Sequence, residues 1–399
     1  MDVIVWEWLS FFVRWTHVMA GIAWIGSSFY FVHLDQSLKQ RASLPPQAYG
    51  DEWQVHGGGF YHMVKYLVAP PQLPERLTWF KWEAYATWLS GFALLVIVYY
   101  LGARLYLIDA SVLDIHPITA VTASLAGLFL GWFVYNEMCE SPLAASDLKL
   151  ALAGFALIVV MAFAYSLVFS GRGAFMQVGV IMGTIMAANV FMVIIPNQRK
   201  VVAALKAGET PDPTLGAKGK QRSLHNNYLT LPVVFVMIGN HYPLAFATRF
   251  SWIIVALVIL MGVSIRHFYN TRHRGLPSPW WTWGITALCG LAIMWLSSLG
   301  PPAPPAEAAA AGGPPSALAE SAELVVQSRC GMCHAATPLW PGIGVAPKGV
   351  KLETLAEMKA HAQAIRVVAV LTHSMPPGNL TAMTADERET VRRWLDEAR

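Results

Sequence analysis

The chain has 399 residues, of which 55% are hydrophobic and only 13% charged, against a charged share of about a quarter in soluble domains. That balance excludes an ordinary soluble enzyme over most of the length. The net charge of +4 and the four scattered cysteines point to neither a nucleic-acid module nor a disulfide framework.

In chain order, eight apolar segments approach the run of about 20 residues that spans a bilayer: 6–32, 82–108, 116–136, 148–169, 174–195, 225–240, 244–265 and 280–299. The first lacks a basic start and a small-residue cleavage site, so it reads as a retained span rather than a signal peptide. Ionisable groups at membrane depth are costly and default to function. In the first span, Arg14 and His17 share a helix face beside Trp15 and Trp24, a pair suited to an anion and its protons. The plain alternative is an arginine that snorkels to the interface and a histidine with a structural bond.

The connection that follows carries His56-Gly57-Gly58-Gly59-Phe60-Tyr61-His62, which fits a close backbone approach to a ligand or a turn at the interface. Glu137 and Glu140 flank Cys139, as a proton relay or as solvated loop charges. The sixth span is polar at both ends, with His225-Asn226-Asn227-Tyr228 at its start, Pro232 inside and Asn240-His241-Tyr242-Pro243 at its close. A proline-interrupted segment of this kind marks a binding site in a broken helix, or a kinked helix with polar caps. His17 and His33 are sixteen residues apart, as are His225 and His241. At about 100° per residue each pair points to nearly opposite faces, so stacked haems b on these helices are disfavoured and a single haem b is the lesser alternative.

Lysine and arginine set the orientation. With the N-terminus outside, fifteen fall in the inner connections and two, Arg172 and Arg249, in the outer ones. An even span count returns the C-terminus to the outside. The expectation is a multi-pass protein of the bacterial inner membrane, with both termini on the periplasmic side.

Beyond the spans, 300–316 is a Pro/Ala-rich linker with little capacity to pack. It leads to Cys330-Gly331-Met332-Cys333-His334: two thiols one helical turn apart, followed at once by histidine, is the signature of covalent c-type haem. Met375, in His373-Ser374-Met375-Pro376-Pro377, is the expected axial ligand opposite His334. His373 is its competitor, while Met358 and Met383 read as packing. Thr384 to Glu387 forms a capping box that opens a last helix, with Val391, Trp394 and Leu395 as its buried stripe. The predicted architecture is all-α: an eight-span helical bundle over 1–299, the linker at 300–316, and a small class I cytochrome c domain over 317–399.

Taken together, Arg14-Trp15-Thr16-His17, Trp24-Ile25-Gly26, the His56–Tyr61 glycine run, both ends of the sixth span and the haem motif resemble the bacterial membrane-bound urate hydroxylases over the whole length. The resemblance implies oxidation of urate to 5-hydroxyisourate, with water supplying the hydroxyl. Electrons would pass to one covalent haem c and on to a soluble cytochrome or terminal oxidase. An outer-side reaction avoids carrying electrons across a hydrocarbon core of about 30 Å, which favours Arg14, His17, Asn240 and His241 as the catalytic set. Two other classes share the same features: a quinol-linked membrane cytochrome, and a transporter with a cytochrome sensor.

Overall fold

The computed structural model describes residues 3–66, 73–110, 112–299, 315–341, 343, 346–347 and 350–397. Most of the expected linker, 300–314, lies outside the described residues. The chain is mostly helical, with one departure from the all-α expectation. Helix α1 (Val3–Ser37) is followed by an antiparallel hairpin of β1 (Ala48–His56) and β2 (Gly59–Tyr66). Its turn is Gly57-Gly58, with φ of +58° and +79°, the left-handed pair that a two-residue hairpin turn requires. The glycine run is therefore a turn, and Tyr30 of α1 holds it by donating its hydroxyl to Gln54 at 2.7 Å.

Helix α2 (Trp82–Leu94) runs into a π-helical turn at Leu95–Tyr100 and stops at Gly102. The expected span 82–108 is thus divided, and Arg104 falls in the separate short helix α3 (Ala103–Tyr106). Then come α4 (Pro117–Glu140), α5 (Asp147–Ser166) and α6 (Gly171–Ala188), the last two capped by the hydroxyls of Ser146 and Ser170. A π turn at Asn189–Ile194 joins α6 to α7 (Ile195–Lys206). Helix α8 (Pro213–Gly239) starts on the Asp212 cap, well before the expected residue 225, and keeps Pro232 in its interior. The kink is accommodated by Gly262 of α9 (Ser251–His273), where a Cβ would lie 2.5 Å from the Pro232 ring. Helix α10 (Trp281–Ser298) closes the bundle.

Among the described residues, six helical stretches are long and apolar enough to cross a membrane: Trp82–Tyr100, Pro117–Glu140, Asp147–Ser166, Gly171–Lys206, Ser251–His273 and Trp281–Ser298. The other two expected spans, in α1 and α8, are helical but carry Arg14, His17 and His33, or His225, Asn226 and Asn227, within them. Outward faces of α4, α5 and α10 present Phe129, Leu148, Val160 and Leu288, each 64–69% exposed, as a lipid-facing surface would.

Side-chain contacts fix the helix directions. His17 of α1 meets Thr87 of α2 while Trp24 packs by Ala84, so these two are antiparallel. Helix α4 runs parallel to α6, through Ser124–Gln177 and Tyr135–Asn189. Helix α8 opposes both α6 and α9, and α1 runs parallel to α9 through Phe29–Arg266 and His33–His273. The start of α1 and the ends of α8 and α10 therefore lie at one end of the bundle.

The C-terminal lobe has its own apolar cluster. Helices α11 (Pro315–His334) and α14 (Ala385–Glu397) cross through Leu318, Ala322 and Val326 against Val391, Trp394 and Leu395. Met358 and Met383 are buried there, as packing. The capping box forms as expected, Thr384 N to Glu387 at 2.7 Å and Glu387 N to the Thr384 hydroxyl at 3.2 Å. Between them lie α12 (Leu355–Ala360), α13 (Ala362–Ile365) and a third π turn, Arg366–Leu371.

The lobe is seated on the bundle. Gly378, at φ +55°, lies so close to the Ile108 carbonyl that a Cβ there would collide with it. Gly378→Val should therefore unseat the lobe. The expected result is faster amide hydrogen exchange, by tenfold or more, around Ile108 and over the 373–379 segment; unaltered exchange would show that this contact does not position the lobe.

Candidate functional site

At the end where the lobe docks, α3, the start of α6, the α8–α9 connection and the 368–378 segment enclose a cleft of about 740 Å³. Its polar wall is built around Asn240, the residue that ends α8. The Asn240 side-chain oxygen accepts from Tyr99 Oη at 2.9 Å and from Arg172 Nε at 2.6 Å. Arg172, in the first turn of α6, also stacks its guanidinium 4.6 Å from the Tyr106 ring centroid, a contact that arginine's planar fork favours. With Nε committed, the fork is held rigidly in the cleft wall. His241 follows Asn240 into the lining, and Met375 and His373 line the opposite wall from the lobe.

Of the four residues expected to be catalytic, Asn240 and His241 line this cleft. Arg14 is not among the cleft-lining residues and lies within electrostatic reach of Tyr99. His17 is elsewhere: its Nδ1 meets the Thr87 carbonyl at 2.9 Å and Ser90 Oγ at 3.3 Å, with the ring packed on Gly91. That is the structural bond of the plain reading. Arg172 was visible in the sequence only as one of two outer-loop cations; its adjacency to Asn240 is made by tertiary packing.

The Cys330–His334 motif closes α11, with Cys330 and Cys333 as free, partly buried thiols. Burial pushes the Cys330 thiol up to about 11 and raises Cys333 as well. The Val350 carbonyl takes a hydrogen bond from His334 Nδ1 at 2.8 Å. A carbonyl only accepts, so Nδ1 carries the proton and Nε2 keeps its lone pair, the arrangement a metal-binding imidazole needs. Arg329 fastens this end of α11 to α14 through a two-pronged pair with Glu387 at 2.8–3.1 Å. On the 373–379 segment, buried Arg388 donates to the Met375 carbonyl at 2.9 Å and to the Asn379 side chain at 3.2 Å. His373 is held down to about 4 by burial and by the Arg388 charge, so its ring is neutral. Two thiols, an imidazole with a free Nε2, a methionine on an arginine-braced loop and an apolar cluster beside Cys330 fit a covalent haem.

The far end of the bundle holds a second polar region. Arg222 of α8 is fully buried and donates to Asn136 at 2.9 Å, Asn189 at 3.3 Å and Glu140 at 3.4 Å, while Tyr135 Oη meets His225 Nδ1 at 2.7 Å. Glu140 also pairs with Lys218. Among the described residues no group of three or more His, Cys, Asp or Glu is arranged to hold a metal ion.

Comparison with known proteins gives one match: the family described as urate oxidase N-terminal, over residues 3–297. No curated protein and no solved structure matches. The matched region ends before the haem motif, so the lobe is interpreted from its own residues.

Proposed function

Because the chain belongs to the urate oxidase N-terminal family over residues 3–297, we propose that it is a membrane-bound oxidoreductase that hydroxylates urate in the cleft beneath the lobe. Urate and one water give 5-hydroxyisourate, two electrons and two protons. In this reading α1 and α8 also cross the membrane, making eight spans, and the lobe end faces the periplasm. The cation balance supports that orientation: even with Arg104 added, the lobe end carries few basic residues and the far end most of them.

Urate is a monoanion at neutral pH, and Arg172 supplies the fixed positive charge that receives it. The Asn240 amide, its oxygen already engaged by Tyr99 and Arg172, turns its N–H donors toward a purine carbonyl. His241 is the base that takes the proton from the attacking water. Arg14 adds positive potential within reach of Tyr99, and His17 ties α1 to α2. Cys330, Cys333, His334 and Met375 would hold a covalent haem, which would supply one-electron acceptor chemistry beside the cleft, with a soluble cytochrome or terminal oxidase as the onward acceptor.

The observation that carries this reading is that Met375 and the Arg172–Asn240–His241 group line the same cleft. Electrons then have no hydrocarbon core to cross. The test is an anaerobic spectrum of the oxidised full-length protein: urate should bring up the reduced haem bands, two haem equivalents per urate. No reduction by urate, with reduction by quinol, would make it a quinol-linked cytochrome instead.

A further inference from the structure

Arg266, on α9 toward the far end, is 5% exposed. Its hydrogen bonds go to neutral amides: Nε to the Asn227 side-chain oxygen at 3.2 Å and an Nη to that of Asn270 at 3.1 Å. Its guanidinium lies 4.0 Å from the Phe29 ring centroid, and no carboxylate pairs with it among the described residues. A buried cation without a counter-charge is among the costliest arrangements a fold can hold.

The groups around it are short of partners too. Nine buried side-chain polar atoms lack a hydrogen-bond partner among the described residues, and four of them sit at this junction: Asn227 Nδ2, His33 Nδ1, Gln36 Oε1 and His273 Nδ1. Asn227 is fully buried. Phe29 and His33 of α1 meet Arg266 and His273 of α9, the two histidine rings 4.4 Å apart, and Gln36 lies on the same face of α1 one turn beyond His33. Unpaired polar atoms gathered around an uncompensated arginine form a surface that can hydrogen-bond an anion.

We propose that the α1–α8–α9 junction is a second binding site, for a small planar organic anion of the urate class. Arg266 supplies the counter-charge, Asn227 Nδ2 a donor, Gln36 an acceptor, and Phe29 an aromatic face. Phosphate offers no planar face to stack beside Phe29, whereas a purine-type anion offers a flat ring that carries both N–H and C=O groups. The choice of urate rests on the proposed cleft chemistry; the existence of the site does not. The cleft that holds Met375 is also lined by Ser251 at the start of α9, whereas Arg266 stands toward the end of that helix, so the junction binds substrate away from the reaction.

The test is equilibrium binding of radiolabelled urate to the full-length protein in zwitterionic nanodiscs, kept reduced so that urate is not consumed. The wild type should bind two per chain and Arg266→Gln one. If Arg266→Gln binds as many as the wild type, the proposal is overturned. Arg172→Gln separates the two readings: if it leaves the count unchanged while Arg266→Gln lowers it, the cleft fails and the junction stands. Should Arg266→Gln not fold, Gln36→Leu removes a single acceptor and should weaken the second site about tenfold; unchanged affinity overturns the assignment. Inorganic phosphate or added anionic lipid should not displace the bound urate, and displacement by either would overturn the urate-class assignment.

Discussion

Protein carrying Cys330→Ser and Cys333→Ser together should leave the membrane without covalent haem, and urate-driven electron transfer should fall on the order of a thousandfold or more, the scale of losing an essential group. Both thiols stand on the last turn of α11, one turn apart and partly buried, beside an imidazole whose Nδ1 is already tied to Val350. Haem staining of a denaturing gel reads attachment, and the anaerobic spectrum reads transfer. Urate binding should persist, because the cleft's anion-holding residues belong to the bundle. Covalent haem surviving in the double variant would remove the motif from the mechanism.

The second large effect is expected at Arg172. Its Nε bond to Asn240 at 2.6 Å and its stack on Tyr106 hold a charge where the substrate anion would lie. Removing a charge-assisted bond costs about 3 kcal/mol, or roughly a hundredfold in kcat/KM. Arg172→Ala should show that loss in steady-state urate oxidation with haem content intact. Arg172→Lys should recover only part of it, since an ammonium restores charge but not the fork. His17→Ala is the contrast: its ring bonds to Thr87 and packs on Gly91, so thermal stability should drop while kcat/KM stays within a few-fold. A kinetic loss at His17 as large as at Arg172 would reverse the two roles.

Much of the helical framework was legible in the sequence, because apolar runs of membrane length have few other outcomes. Each of the eight expected segments contains a helix, though 82–108 is divided and 244–265 is α-helical only from Ser251, and the capping box and the Val391–Trp394–Leu395 stripe lie where the pattern put them. The buried arginines were not legible. Arg222 and Arg266 were counted as loop cations because hydropathy ends a span at its first charge, yet α8 and α9 run on through both. Their burial depends on amides from other helices, Asn136 and Asn189 for one and Asn227 for the other, a pairing with no trace in local spacing. The Asn240–Arg172 contact joins residues 68 apart and was hidden for the same reason. The hairpin at 48–66 was missed because its glycine turn sat in a stretch assigned to a connection.

The three wide π turns have a shared consequence. Leu95–Tyr100 contains Tyr99, Asn189–Ile194 begins with the amide that holds Arg222, and Arg366–Leu371 leads straight into the Met375 loop. Each is in effect one surplus residue in a helix. Excising that residue would let the helix rewind to ordinary pitch and swing everything beyond it by about 100°. These turns are therefore places where a single-codon deletion, nearly neutral for hydrophobicity and length, would turn a whole polar face away from its partners.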